Sequence, residues 1–193
     1  MKYPIPSSFS RVCVGDIGTM HMNSALGFLM AHSPLGKTYH HLTGDDARNC
    51  ASHSIMFVLD GAGKLCVGNV KNPTAEWQSL EDFAKMLQAG KATAFRAFRV
   101  KGSTPEQRYA AAKYWNEQVH NRPYDKVAYG RLIAKVIVGD IFPQAAGLEW
   151  AYYCTEGNER SWRLGGGIDV YRNLNPTPVT EIKRWKEGAL EEL

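Results

Sequence analysis

The feature that most constrains how this chain can fold is a hairpin signature between residues 53 and 70. His53-Ser54-Ile55-Met56-Phe57-Val58-Leu59 is an apolar run, Asp60-Gly61-Ala62-Gly63 is a glycine turn, and Lys64 to Val70 is a second run. Two such runs bounded by Gly and Asp read as antiparallel strands. The fold must therefore contain an antiparallel sheet with this hairpin in it.

The other elements give an α+β order. Arg11 to Ile17 reads as a strand leading into a turn, and Thr93 to Val100 as a further strand. Ser79 stands before Leu80-Glu81-Asp82 as the N-cap of a short helix that Gly90 would stop. Thr104-Pro105-Glu106-Gln107 has N-cap, N1 proline and N3 glutamine in capping-box order. The helix it opens places Ala111, Trp115 and Val119 on one face, which should pack on the sheet, and ends before Pro123. From about residue 165 the chain reads as an irregular tail: Gly165-Gly166-Gly167 is a break, Asn175-Pro176-Thr177-Pro178 is extended, and a short helix containing Trp185 would start at Thr180. No internal repeat is visible, and 193 residues with 44% apolar content are enough to bury one core, so 1–193 reads as a single domain.

Composition removes several function classes. The net charge of +4 is modest and the basic residues are spread without a run of five, so neither nucleic acid nor an acidic membrane surface is indicated as a partner. No apolar stretch approaches the roughly 18 residues of a spanning helix; the longest cluster, Leu132 to Val138, is interrupted by Lys135 and reads as core. The start, Met1-Lys2-Tyr3-Pro4-Ile5-Pro6, has no apolar core of a signal peptide, which leads to the expectation of a cytoplasmic protein. Cys13, Cys50, Cys66 and Cys154 form no CxxC pair and are expected to be free thiols.

One of those cysteines stands apart. Cys154 follows Trp150-Ala151-Tyr152-Tyr153 and precedes the polar run Thr155-Glu156-Gly157-Asn158-Glu159-Arg160, where a helix would begin. A thiol at a helix N-terminus, or beside an imidazolium, loses its proton more readily, and the thiolate is the nucleophile. His53, at the head of the first hairpin strand, would supply that imidazole if the fold brings the two together. The competing reading is that a lone cysteine beside two tyrosines is a small buried apolar residue.

These residues resemble, in their order, the circularly permuted papain-like hydrolases, the YiiX-like relatives of the NlpC-type cell-wall peptidases and of lecithin-retinol acyltransferase. Gly15-Asp16-Ile17 is similar to that family's first "GDI" strand. Ser52-His53 and the strands after it resemble its histidine hairpin, Pro123-Tyr124-Asp125 its "YD" segment, and Tyr153-Cys154-Thr155-Glu156 its "YCSE" nucleophile motif. The resemblance runs from about Val14 to Trp162, and histidine precedes cysteine in the permuted order. It implies an antiparallel sheet packed against helices, Cys154 as nucleophile at a helix N-terminus, and His53 as general base. The family's third residue, often a glutamate on the strand after the hairpin turn, has no carboxylate here; Asn69 is the nearest polar side chain, and an amide can orient an imidazole. Glu156 matches the motif glutamate and reads as structural. Gly157 departs from the family's aliphatic residue and implies a short helix. The segment from Gly18 to Cys50, rich in Met, His and Gly, has no family counterpart and would be a substrate loop or lid.

Two other constellations compete. His40, His41, Cys50 and His53 are zinc-ligand types within fourteen positions, but their spacing matches no common finger, so no metal site is assigned. Gly165-Gly166-Gly167 lacks the Gly-Lys-Ser/Thr ending of a phosphate loop, and no cofactor is called for. What the resemblance implies is a cysteine peptidase or amidase-like hydrolase. It would cleave an amide or ester through an acyl-enzyme, with a peptidoglycan peptide, an isopeptide or a lipid acyl group as substrate class. Were the cell wall the target, release by lysis or carriage in a phage particle would be required. The alternative is a module that keeps the fold for binding or structure and has lost the chemistry, and the absent carboxylate is its support.

Overall fold

The computed structural model describes residues 7–127, 130, 152–172 and 176–193. The apolar run Leu132 to Val138, read as core from sequence, lies outside the described residues, as do Trp150, Asn175 and the first six residues. The fold is α+β, an antiparallel sheet packed against helices. Its strands are β1 Ile17–Met22, β2 His53–Leu59, β3 Leu65–Val70, β4 Ala75–Ser79, β5 Ala92–Val100 and β6 Leu190–Glu192. They lie in the order β4-β3-β2-β1-β5-β6, with every neighbouring pair antiparallel. The helices are α1 Ala25–Ala31, α2 Pro34–Thr43, α3 Leu80–Gln88, α4 Pro105–Tyr114, α5 Cys154–Arg160 and α6 Pro178–Lys186.

The expected hairpin is β2 and β3, paired through Met56↔Gly68, Phe57↔Val67 and Leu59↔Leu65. Side chains alternate along a strand, and β2 divides the molecule accordingly. Ile55 and Phe57 join Met20, Val67, Ala97 and the α3 residues Phe83 and Leu87 in one core. Met56 and Val58 join Cys66, Tyr39, Trp115, Trp162 and Ile182 in the larger core on the opposite face. Each buried aromatic or branched aliphatic side chain contributes about 1.5–3 kcal/mol, so the face carrying both tryptophans anchors α4 and α5 to the sheet.

Local chemistry set the helix ends as expected. The Ser79 hydroxyl accepts from the Asp82 N–H, and Gly90, at φ +69°, ends α3 in the left-handed region. Thr104 and Gln107 make both bonds of the capping box that opens α4. After Tyr114 the helix widens into a π turn over Trp115–Val119. Ala111, Trp115 and Val119 are all fully buried, and the turn brings the Trp115 ring over Gly68, where any Cβ would stand 2.8 Å from the ring.

Three expectations are corrected. Residues 11–16 are not a strand: Gly15 turns the chain at φ +86°, at a place where Arg108 leaves no room for a Cβ, and the chain becomes extended only at Ile17. The segment from Gly18 to Cys50 is not a loop, since most of it forms β1, α1 and α2, the two helices capped by Ser24 and Ser33. The stretch after 165 is not irregular throughout. The expected helix containing Trp185 forms as α6, opened two residues earlier than Thr180 by the capping box of Thr177 and Thr180, and β6, which was not expected, pairs with the edge of β5 through Val100↔Leu190. Gly165 is a packing residue, its Cα side pressed against Tyr114 and the Ala110 carbonyl.

Candidate active site

Cys154 is the first residue of α5, and Tyr153 before it caps the helix with no side-chain bond. The unpaired N–H groups of the first turn therefore put positive partial charge at the end of the helix that carries the thiol. Gly157, which sequence reading marks as a weakness in the helix, has a packing reason: a Cβ there would lie 3.1 Å from Val70 and 3.2 Å from Val119. Its absence lets α5 settle closely against β3 and the π turn. The helix is short, as expected, and passes into a second π turn at Ser161–Gly165. Glu156 is buried and holds Arg160 at 2.8 Å, a structural pairing within the helix.

The structure brings Cys154, His53 and Asn69 together. His53 Nε2 lies 2.8 Å from Asn69 Oδ1, and the Asn69 amide donates to Gln78 Oε1 on β4 at 3.1 Å. With the Asn69 amide turned to Gln78 and its oxygen to the ring, Nε2 carries a proton and Nδ1 is left for the thiol. Burial pushes the Cys154 thiol up, but the His53 charge and hydrogen bond, the Ser54 backbone N–H and the Thr155 hydroxyl outweigh it and hold the thiol below its usual range. Burial pushes His53 down, and the Cys154 charge and hydrogen bond, Asn69 and the Glu181 charge raise it above its usual range. Opposite shifts of a thiol and an imidazole favour the thiolate/imidazolium form.

The other cysteines are different. Burial pushes Cys50 up to about 12, and burial with the Asp60 charge pushes Cys66 up to about 11. The zinc-type cluster is not assembled either. His40 Nδ1 faces the Asp45 carbonyl, Cys50 is fully buried, and His53 is engaged with Asn69. Among the described residues no three His, Cys, Asp or Glu side chains converge on a metal position.

The pair opens onto a cavity of about 940 Å³ whose wall includes Met22, His53, Asn69, Gln78, Met86 and Cys154. Part of the 18–50 segment thus contributes to the wall through Met22, Ser24 and Leu26.

Sequence reasoning missed the groups behind the pair. Glu181 on α6 is completely buried and accepts from the Ser54 hydroxyl at 2.7–2.8 Å, the Tyr171 hydroxyl at 2.5 Å and the Asn158 amide at 3.2 Å. Asn158 also donates to Ser54 Oγ at 2.6 Å and to the Ile55 carbonyl at 3.1 Å. Burial raises Glu181 to about 7 against these hydrogen bonds and the His53 charge. Asn158 was within reach of sequence, because it lies one helical turn after Cys154. Glu181 was not, being 127 positions from Ser54.

No protein-family model and no curated protein matches the chain. Among solved structures it is similar to the crystal structure titled metalloprotein yiiX, DUF1105, from Escherichia coli O157:H7. The TM-score is 0.52 at 17% identity, over 93% of this chain and 95% of that one. At that identity the likeness establishes a shared fold.

Proposed function

We propose that this chain is a thiol hydrolase of the permuted papain-like type, one domain over 1–193, that cleaves an amide or ester through an acyl-enzyme. The observation that carries the reading is the alignment of Cys154, His53 and Asn69 at the cavity, with the thiol lowered and the imidazole raised. The fold shared with yiiX supports it. The Cys154 thiolate attacks the carbonyl carbon, and the oxyanion forms near the Cys154 backbone N–H, at the uncapped start of α5. His53 passes its Nδ1 proton to the leaving nitrogen or oxygen as the C–N or C–O bond breaks, leaving a thioester. Water then attacks the thioester, His53 takes its proton, and the acid leaves as the thiolate is restored. Asn69 keeps the ring in the required tautomer throughout.

The cavity is large enough for a peptide, isopeptide or acyl-amide segment, and a cell-wall peptide is one member of that class. No described helix is long and apolar enough to cross a membrane. The four unpaired thiols suit a reducing compartment such as the cytoplasm, with lysis or a phage particle as the route to a wall substrate.

The deciding experiment is alkylation of the native protein by iodoacetamide at pH 6, read for each cysteine by mass spectrometry. Cys154 is expected to label at least about 100-fold faster than Cys50 or Cys66, and to lose that advantage in His53→Ala. Equal, slow labelling of all four cysteines would favour the binding-module reading instead.

A further inference from the structure

His53 and Ser54 are neighbours on β2 and point to opposite faces of the sheet. His53 meets the thiol and the cavity, while the Ser54 hydroxyl enters the larger core and directs its one proton between the two oxygens of Glu181. The Ser54 backbone N–H meanwhile bonds the Cys154 sulfur. On α5, Asn158 stands one turn beyond Cys154 and ties Ser54, Ile55 and Glu181 together. A single carboxylate on α6 is therefore bonded to the strand that carries the histidine and to the helix that carries the cysteine.

A carboxylate is costly to bury, and its removal from water is compensated only when its oxygens are filled with donors. Here Ser54, Tyr171 and Asn158 supply them. An apolar side chain at 181 would be buried with less penalty, so a carboxyl bonded to the strand behind the imidazole calls for a role.

We propose that Glu181 is a positioning residue for the Cys154/His53 pair. Through Ser54 and Asn158 it locks β2 against α5, and once it ionises, from neutral pH upward, its negative charge favours the protonated form of His53. This role rests on the thiolate/imidazolium reading above. The ionisable groups that act on Glu181 are His53 on β2 and Tyr171 on the segment before α6, and Glu159 and Cys154 on α5 act in turn on Tyr171. Glu159 is neutralised by Arg163, and Arg184 on the next turn of α6 is held by the Val170 carbonyl and Glu187. Glu181 is thus the carboxylate whose charge acts on His53.

The test uses the full chain as wild type, Glu181→Gln and Tyr171→Phe. The His53 imidazole is titrated by NMR, its signal assigned by its loss in His53→Ala, and Cys154 alkylation by iodoacetamide is followed from pH 5 to 9. Glu181→Gln is expected to lower the proton affinity of His53 about tenfold and to slow Cys154 labelling at neutral pH by a similar factor. The labelling of Cys50 and Cys66 should stay unchanged, which a general loosening of the fold would not allow. Tyr171→Phe withdraws one donor from the carboxylate without touching β2 or α5, and should move His53 in the same direction by a smaller amount. It decides the matter if Glu181→Gln does not fold. A His53 titration that is unmoved in the folded variants, with fast wild-type labelling, overturns the role of Glu181 and leaves the hydrolase reading intact. Slow wild-type labelling of Cys154 overturns both.

Discussion

Consecutive residues of β2 head two polar clusters built from similar groups, and the clusters differ in their access to water. On one face His53, Asn69, Gln78 and Cys154 border a cavity of about 940 Å³. On the other, Ser54, Asn158, Tyr171 and Glu181 are sealed in the larger core, Glu181 without any exposure. In the open cluster the hydrogen bonds run in a line, from Gln78 to Asn69 to His53, and end at a group that can react. In the sealed cluster three donors converge on one acceptor and leave it no free lone pair directed at solvent. A linear relay sets the orientation of its last member, whereas a closed cluster fixes the elements that contribute to it. The two are joined through one backbone step and the Ser54 N–H.

Substitutions on the two faces should separate these roles. The largest effect is expected from Cys154→Ala. It should abolish turnover, a loss of at least about 1,000-fold on any substrate found, while the thermal midpoint falls only slightly because one small side chain is removed. A variant with full activity would break the assignment of the open face. Asn69→Ala comes next: with Nε2 deprived of its acceptor the ring can turn away, and Cys154 alkylation at pH 6 should fall about tenfold. Asn69→Asp, which keeps an acceptor, should fall less, and equal losses in the two would show that Asn69 fills space rather than orients the ring.

The smallest effect lies on the sealed face and is read in stability against pH. Glu181 is raised from its ordinary 4.5 to about 7, first by burial. Below about 4.5 it is protonated in both the folded and unfolded chain and contributes no slope. Between about 4.5 and about 7 the unfolded chain releases this proton while the folded chain keeps it, so stability falls as pH rises, and above about 7 the loss is complete. Denaturant titrations across this range should show that slope in the wild type and a flatter line in Glu181→Gln. The same slope in both would mean that the carboxylate is already ionised in the fold at pH 5.

Much of the scaffold was legible because it is set by local chemistry. The glycine turn made the β2–β3 hairpin visible, Ser79 and Thr104 announced α3 and α4, and the polar run after Cys154 announced α5. Cys154, His53 and Asn69 were nameable as well, the first two by family resemblance and the third as the nearest polar side chain on β3. The failures had non-local causes. Gly15 turns the chain in the left-handed region where Arg108, 93 positions away, leaves no room for a Cβ, and β1 starts only after it; no local window contains that contact. The three residues of β6 form a strand only because the edge of β5 offers them partners.

The sequence by itself determined where the chain turns and where its helices start, since these depend on residues within a few positions of one another, and it offered Cys154 and His53 as side chains with the chemistry for a thiol/imidazole site. Only the tertiary structure decided that Asn69 reaches Nε2, that the thiol is lowered while two other cysteines are raised, and that Glu181 stands behind the pair. Each of these depends on burial and on charges brought close from distant parts of the chain, and both quantities exist only once the sheet and its helices have closed around them.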